Sequence, residues 1–561
     1  MFRLCKQLVL TGFLGLVGCG GDINSQPTIV DKRDLAQRAG APLFDGMGNY
    51  HMPITTADPD AQRYFDQGMV LAFGFNHAES IRSFRAAQTL DPNCAMCFWG
   101  EALATGPNIN VTSNGKAIMA PHERASARIA IDRALALREA VTPKEEDWIQ
   151  ALDQRYDGQA ETPREPLDRA WAEALATMAE RYPDDTTVAS VYAEALMNTM
   201  PWDYWGPNGE AKPDTQAVIA SLEAVMSTDP GHPLALHLYI HALEASSSAQ
   251  KAELAADRLA TLVPGSGHLV HMPSHIYFRV GRYQDSALAN IRAAEVDEAY
   301  IAQCNAQGFY PALYYPHNIH FLWASATMQG QSELSLDSAR RVVANVRIEQ
   351  VEQYPTIQFF RTVPMLSLVR FARWGEVLEE PEPHAPFAFA RAIWHYGRGV
   401  AQAALGENEA ALVELAAIEA LEPEVDEVFM GNVYPARDLL KIAKALLRGE
   451  MAYRADEVAS AVLAFEEAVA LQDALPYTEP PFWYYPTRQS LGAALLASDR
   501  VAEAQAVFQE DLKQYPMNGW SMFGLAEALR RQGDEAGAQQ MKARFETVWQ
   551  FADVSLSTSI L

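Results

Sequence analysis

The sequence predicts an all-α fold, a right-handed solenoid of stacked helix pairs, and three observations predict it. Apolar residues recur at helical spacing along most of the chain, and no run alternates convincingly as a strand would. Helix-turn-helix units return at a period of about 34 residues, the signature of stacked helix pairs. The 561 residues accommodate roughly two dozen such helices, as several domains or as one extended solenoid. A composition of 49% hydrophobic and 20% charged residues is ordinary for a folded soluble body, and the net charge of −27 argues against nucleic acid and against a polybasic membrane patch.

The first element is short. Arg3 and Lys6 precede an apolar run over residues 8–17, too short to span a bilayer as a stable helix, in the charged-then-apolar order of a secretory signal. It ends Leu16-Val17-Gly18-Cys19, which resembles the lipobox of bacterial lipoproteins. That resemblance implies cleavage before Cys19 and a diacylglyceryl group on its thiol. Gly20 and Gly21 follow with no aspartate directly after the cysteine, which implies an outer-membrane anchor and a periplasmic or surface-exposed body. Residues 1–18 are then a signal peptide and 19–46 a polar tether. The lipid would be the only contact with the membrane.

The clearest repeat covers residues 61–92. Tyr64, Gly68 and Leu71 mark its first helix, Ser80, Phe84 and Ala87 its second, and Pro92 closes it. The small residue on the first helix leaves room where the second crosses it, and neither helix can bury its apolar face alone. This spacing resembles the tetratricopeptide repeat. Units of varying fidelity follow at 233–264, 269–298, 317–343, 392–421 and 485–516, with a last one beginning near Trp520 and Gly524. Residues 121–137 and 143–156 are amphipathic helices of weaker repeat character. Thr142-Pro143-Lys144-Glu145 is a helix start: capping threonine, proline in the first turn, glutamate reaching back. The chain is divided into an N-terminal solenoid, 47–345, and a C-terminal one, 346–561. Inserts rich in Gly, Pro, Asn and aromatics fall at 106–121, 200–214 and 304–316, where they can shape a ligand site or plug the superhelix.

Histidines carry the functional signal. Eight of the 13 lie between His232 and His320. His237 and His241 are matched one repeat later by His271 and His275, and His317 and His320 form a third pair. Counting back from Gly330 puts His320 level with His237 and His271. In tetratricopeptide repeats these first-helix places face the concave groove, so the resemblance implies six imidazoles on one wall. Residues three or four apart on a helix are about 5–6 Å apart, close enough to chelate one ion. Glu244 falls on the face of His237 and His241, as a further ligand or a general base. Such sets suit zinc, copper or iron. Pro273, between His271 and His275, threatens the geometry of the middle pair. Three readings stay open: a transition-metal site, a His-lined groove for a protein, peptide or small molecule, and structural burial.

Cys94 and Cys97 form a C-x-x-C at a helix start, read as a local disulfide or as separate buried thiols. Tyr314 and Tyr315, in the insert before His317, are taken as groove residues. The inserts together with Gly267-His268-Leu269-Val270-His271-Met272-Pro273-Ser274-His275 are similar to bacterial tetratricopeptide lipoproteins, a resemblance that implies no particular activity. The functional expectation is a lipid-anchored binding protein, with a metal-dependent enzyme as the alternative. The sequence carries no nucleotide loop, nucleophile elbow or zincin motif.

Overall fold

The computed structural model describes residues 32–113, 116–206, 209–304, 310–353, 355–425 and 434–561. Among them the chain is all-α apart from a two-residue ladder pairing Thr112–Ser113 with Lys116–Ala117. Helices pair in succession. Pro59–Phe73 packs on His77–Leu90, Tyr315–Met328 on Ser332–Asn345, and Gly519–Arg531 on Glu535–Val548.

An aromatic wedge explains the stacking. A β-carbon on Gly68 would lie 2.7 Å from the Phe84 ring, and one on Gly100, in the next repeat, 2.3 Å from it. Phe508 is held in the same way between Gly492 and Gly524, where a β-carbon on either would lie 2.3 Å from the ring. Each ring thus ties its own helix pair to the next, and burying it contributes about 2 kcal/mol. Ala436–Arg454 and Val458–Asp473 form another such pair, with Phe465 against Gly449, in a stretch where the sequence reading placed no repeat.

The helix Pro143–Asp153 starts with the reciprocal cap. Thr142 Oγ1 accepts from the Glu145 amide at 3.3 Å, and Glu145 Oε2 accepts from the Thr142 amide at 2.8 Å. Two expectations change. Cys19 and the signal segment lie outside the described residues, but the described part of the tether is packed. Lys32–Ala39 is helical, Leu35, Ala39 and Ala41 are buried, and the Ala41 carbonyl accepts from the Tyr64 hydroxyl at 2.7 Å. These apolar residues, spaced four and two apart in a polar stretch, supply the buried stripe. The two solenoid halves also share their middle, since Phe278, Tyr283 and Phe321 belong to the same apolar core as Leu439 and Phe508.

The C-terminal repeats return onto the centre. Trp520 Nε1 donates to the Thr327 carbonyl at 3.2 Å, and Asp553 Oδ1 accepts from the Ser332 amide at 2.6 Å. Gly281, at φ 82°, turns so close to the Pro516 carbonyl that a β-carbon would sit 2.2 Å away.

Asp511 lies fully buried under this return, accepting from Ser521 Oγ at 2.5 Å and Asn518 Nδ2 at 2.9 Å. Burial pushes its carboxyl up to about 6. An acid whose folded pKa exceeds its unfolded value leaves the native state holding a proton that the unfolded chain has released. Stability present at low pH is therefore lost as pH rises from about 4 to about 6, by about 1 kcal/mol per pH unit. Urea unfolding across that window should show this fall, to which the buried and likewise raised Asp297 and Glu194 also contribute, and Asp511→Asn should lessen its slope by about 1 kcal/mol per pH unit. An unchanged slope in the variant would assign the fall to other groups.

Candidate metal centre

Three helices from successive repeats bring the histidines together. Pro233–Glu244 is buried along its whole length, and its His232 cap accepts from the Ala235 amide at 3.3 Å. The next first-helix is broken into Gly267–His271 and Pro273–Arg279. Met272 keeps helical angles (φ −51°, ψ −37°) and donates to the His268 carbonyl at 3.0 Å, so Pro273 interrupts the helix without turning the chain away. His271 and His275 stay on one face, and His268, a turn earlier, joins them. Tyr315–Met328 supplies His317.

Two adjacent clusters result: His237, His241 and His268, and His271, His275 and His317. Within each, one ring nitrogen per residue lies within 4.8 Å of the others. The clusters are neighbours, with His241 and His275 ring centroids 5.9 Å apart and His268 and His271 5.8 Å apart.

Hydrogen bonds behind the rings fix four tautomers. His237 Nδ1 donates to the Phe73 carbonyl at 2.6 Å, at a helix end where that oxygen has no helical partner. His241 Nδ1 donates to Glu244 Oε1 at 2.7 Å, and His275 Nδ1 to Glu244 Oε2 at 2.6 Å. His271 Nδ1 donates to Asn290 Oδ1 at 2.6 Å, and the Asn290 amide is oriented by its own bond to the Ser286 carbonyl at 2.9 Å. Carbonyls and carboxylates only accept, so each Nδ1 carries a proton, and in the neutral ring Nε2 presents a lone pair. The Nε2 atoms of His237 and His241 and both ring nitrogens of His268 are buried without a partner. His271 Nε2 and His275 Nε2 stand 2.8 Å apart, two lone pairs facing each other. Only a cation between them, a proton or a metal ion, makes that contact favourable.

Burial favours the neutral form in five of the six clustered imidazoles. Burial pushes His237, His268, His271 and His317 well below the usual histidine range, and neighbouring imidazoles add to the effect. Burial lowers His241 too, against the opposing pull of Glu244. Burial works to raise the fully buried Glu244 carboxyl, but His275 and His241 hold it well below its usual range. Neutral imidazole is the metal-binding form, and a carboxylate behind it orients the ring and strengthens the donor.

Aromatic rings enclose both clusters. Phe75, at φ 56°, lies 4.5 Å from His237 and stacks on His268 at 5.4 Å. Phe321 lies 4.9 Å from His275. The inserts close the remaining side. The Tyr314 ring stands 4.8 Å from His268 and its hydroxyl accepts from Asn110 Nδ2, while Trp202 lies 5.2 Å from His241 and donates to Asn110 Oδ1.

Four expectations are corrected. His320 faces away, stacked on Trp323 at 5.0 Å and against Phe359 and Phe360, where burial pushes it down to about 3. The insert shifts the repeat count, and the places level with His271 and His275 are His317 and Phe321. Tyr315 turns away from both clusters into a separate apolar core with Ile319 and Val342, donating to Glu298 at 2.7 Å. Glu244 contacts the Nδ1 side of His241 and His275, so it is neither one of the converging donors nor, with its depressed pKa, a general base. The histidine wall does not line an open groove: the inserts and the Phe73–Phe75 turn fill the concave side.

His268 is not among the histidines that the sequence reading selects, yet it lies three residues before His271 and seven before His275, on the same face. Asn290 stands four residues after Ser286, the place that Phe84 occupies relative to Ser80. A polar residue in that aromatic place is a readable signal. Cys94 and Cys97 are joined as a disulfide in a separate apolar core beside Tyr64. Cys304 lies beside Glu79 and Arg82, away from the clusters, with burial pushing its thiol up to about 11.

Fold and site together define an α-solenoid of tetratricopeptide-like helix pairs with six convergent imidazoles at its centre. No family model and no curated protein matches the chain. Among solved structures it is similar to the APC/C hetero-tetramer Cut9–Hcn1, at 13% identity over 87% of this chain and 73% of that one, with a TM-score of 0.28. It is also similar to the human IFIT1 dimer with m7Gppp-AAAA, at 12% identity over 88% and 91% of the two chains and a TM-score of 0.31. Yeast Tom70 is similar at 12% identity over 88% and 92%, with a TM-score of 0.26. The likeness is one of fold.

Long-range proton–nitrogen NMR of the metal-free protein at neutral pH should find His237, His241, His271 and His275 as the Nδ1–H tautomer. Predominant Nε2–H signals at these residues would contradict the assigned hydrogen bonds.

Proposed function

We propose that the chain is a metalloprotein that holds two transition-metal ions side by side, one in each three-histidine cluster, within a solenoid whose outer surface serves partner binding. The observation that carries this reading is the contact between the Nε2 lone pairs of His271 and His275, with Nδ1 of each ring locked to an oxygen. Metal–imidazole bonds run about 2.0–2.1 Å, so side-chain adjustments of about an ångström bring each set around one ion. Both sets are all-nitrogen, since Glu244 stands behind the rings. That favours copper or zinc over iron, whose usual oxygenase site includes a carboxylate ligand. Three imidazoles leave a coordination position for an exogenous ligand, the arrangement that a metal-dependent enzyme would also require.

Protein purified without a histidine tag, from cells supplied with zinc, copper and iron, should carry about two transition-metal ions per chain by elemental analysis. His237→Ala with His268→Ala should leave about one, and His271→Ala with His317→Ala should leave about one. Glu244→Gln should weaken binding by about 10- to 100-fold, the usual cost of losing an outer-shell partner. Folded protein that takes up no metal under any supplement rules the reading out.

The Leu16-Val17-Gly18-Cys19 motif supports a second element of the proposal, that Cys19 is lipidated and tethers the body to the cell envelope, at the outer membrane. Metabolic labelling with a fatty-acid analogue should mark the full-length chain and be abolished by Cys19→Ser. Equal labelling of the two would refute the anchor.

A further inference from the structure

A second site stands beside the histidines, made by the C-terminal repeats. A cavity of about 300 Å³ opens between Pro273–Arg279 and the irregular segment 475–483. That is the lower end of the range for small-molecule sites. Its walls include Phe278, Phe482 and Tyr515. Three buried polar atoms on the same lining have no hydrogen-bond partner: Arg279 Nε, Glu479 Oε2 and Trp483 Nε1. Buried polar atoms are rarely left unpaired, and three around one cavity point to a missing ligand. Among the described residues Arg279 and Glu479 form no ion pair with each other, although both line the cavity. Arg279 is held from behind, donating to the Ser246 carbonyl at 3.2 Å and lying over the Tyr477 ring at 5.5 Å. Glu479 is held by the Tyr477 hydroxyl at 3.1 Å. A guanidinium, a carboxyl group and three aromatic rings thus line the same small volume.

We propose that this cavity binds a small zwitterionic aromatic compound, with the size and charge pattern of an aromatic amino acid. Arg279 and the Trp483 N–H take its carboxylate, Glu479 takes its ammonium, and Phe278, Phe482 and Tyr515 enclose its ring. A purely anionic ligand would leave Glu479 unpaired and a purely cationic one would leave Arg279 unpaired, each at the cost of a buried charge. The recognition groups do not depend on metal. The site is nevertheless connected to the histidines, because the Tyr477 hydroxyl lies 3.1 Å from Glu244 Oε2 as well.

Calorimetry on the metal-free protein, where chelation by the ligand plays no part, tests this with L-phenylalanine, L-tyrosine, 3-phenylpropionate and phenethylamine as probes. At least one of the two amino acids should bind saturably, and the two singly charged analogues about tenfold or more weakly, the cost of one lost charge-assisted hydrogen bond. Glu479→Gln and Arg279→Met should each weaken amino-acid binding about tenfold or more with the melting temperature unchanged. Trp483→Phe keeps the ring and should cost a few-fold. If Arg279→Met fails to fold, Glu479→Gln decides. No saturable binding by either amino acid, equal binding of phenylpropionate, or affinity indifferent to Glu479→Gln each overturns the proposal, whatever the metal content proves to be.

Discussion

The Glu244 carboxylate is the contact on which the centre of this molecule depends. It is fully buried, and its two oxygens accept from His241 of its own helix and His275 of the next repeat. A buried carboxylate costs several kcal/mol unless it is paired and hydrogen-bonded. Here two imidazole donors supply those bonds, and the Tyr477 hydroxyl, shared between Glu244 and Glu479, lies 3.1 Å from each. The three groups come from three separate parts of the chain, so the carboxylate joins two N-terminal repeats to a segment 233 residues further along. Removing it would leave two buried N–H groups without acceptors and loosen the return of the C-terminal repeats.

That bond also decides what kind of concave face this solenoid has. A solenoid gains nothing from polar groups on its inner wall unless something meets them. In most of the wall the chain itself does so: Phe73 offers a helix-end carbonyl to His237, Asn290 turns its oxygen to His271, and the aromatic inserts cover the rest. What is left unmet is Nε2 of His237 and His241 and both ring nitrogens of His268. The pattern is selective, with every Nδ1 of the four locked histidines satisfied and the Nε2 atoms facing one another. These unmet nitrogens are the ones that the proposed metal sites would use.

How far the sequence was legible follows the range of the interactions. Local ones were readable. The Thr142–Glu145 cap, the turn at Gly281 and the Gly68–Phe84 spacing each lie within one unit, and the register of His237 with His271 needs only the repeat period. Misplacements arose where a distant segment decides. Counting from Gly330 favoured His320, but the insert before it changes which face of Tyr315–Met328 turns inward, and Phe359 and Phe360 take that ring instead. Glu244 shares a helix face with His241, which cannot reveal that its second oxygen belongs to the next repeat. The filled groove was invisible for the same reason. Trp202, Asn110 and Tyr314 meet across three inserts whose separations in the chain exceed any repeat.

The repeat geometry finally accounts for the form of the centre. His237 with His241 and His271 with His275 are the same two places of one unit, so stacking alone would give two incomplete pairs rather than two sites. Each becomes a triad by borrowing from the unit that follows. His268, one turn before the second pair, completes the first, and His317, at the corresponding place of the third unit, completes the second. The third unit carries Phe321 where a fourth pair member would stand, and it packs against His271 and His275 instead. Both triads therefore straddle an interface between repeats. An ion held by either triad would bridge two units, so its binding would be coupled to the packing of these three repeats.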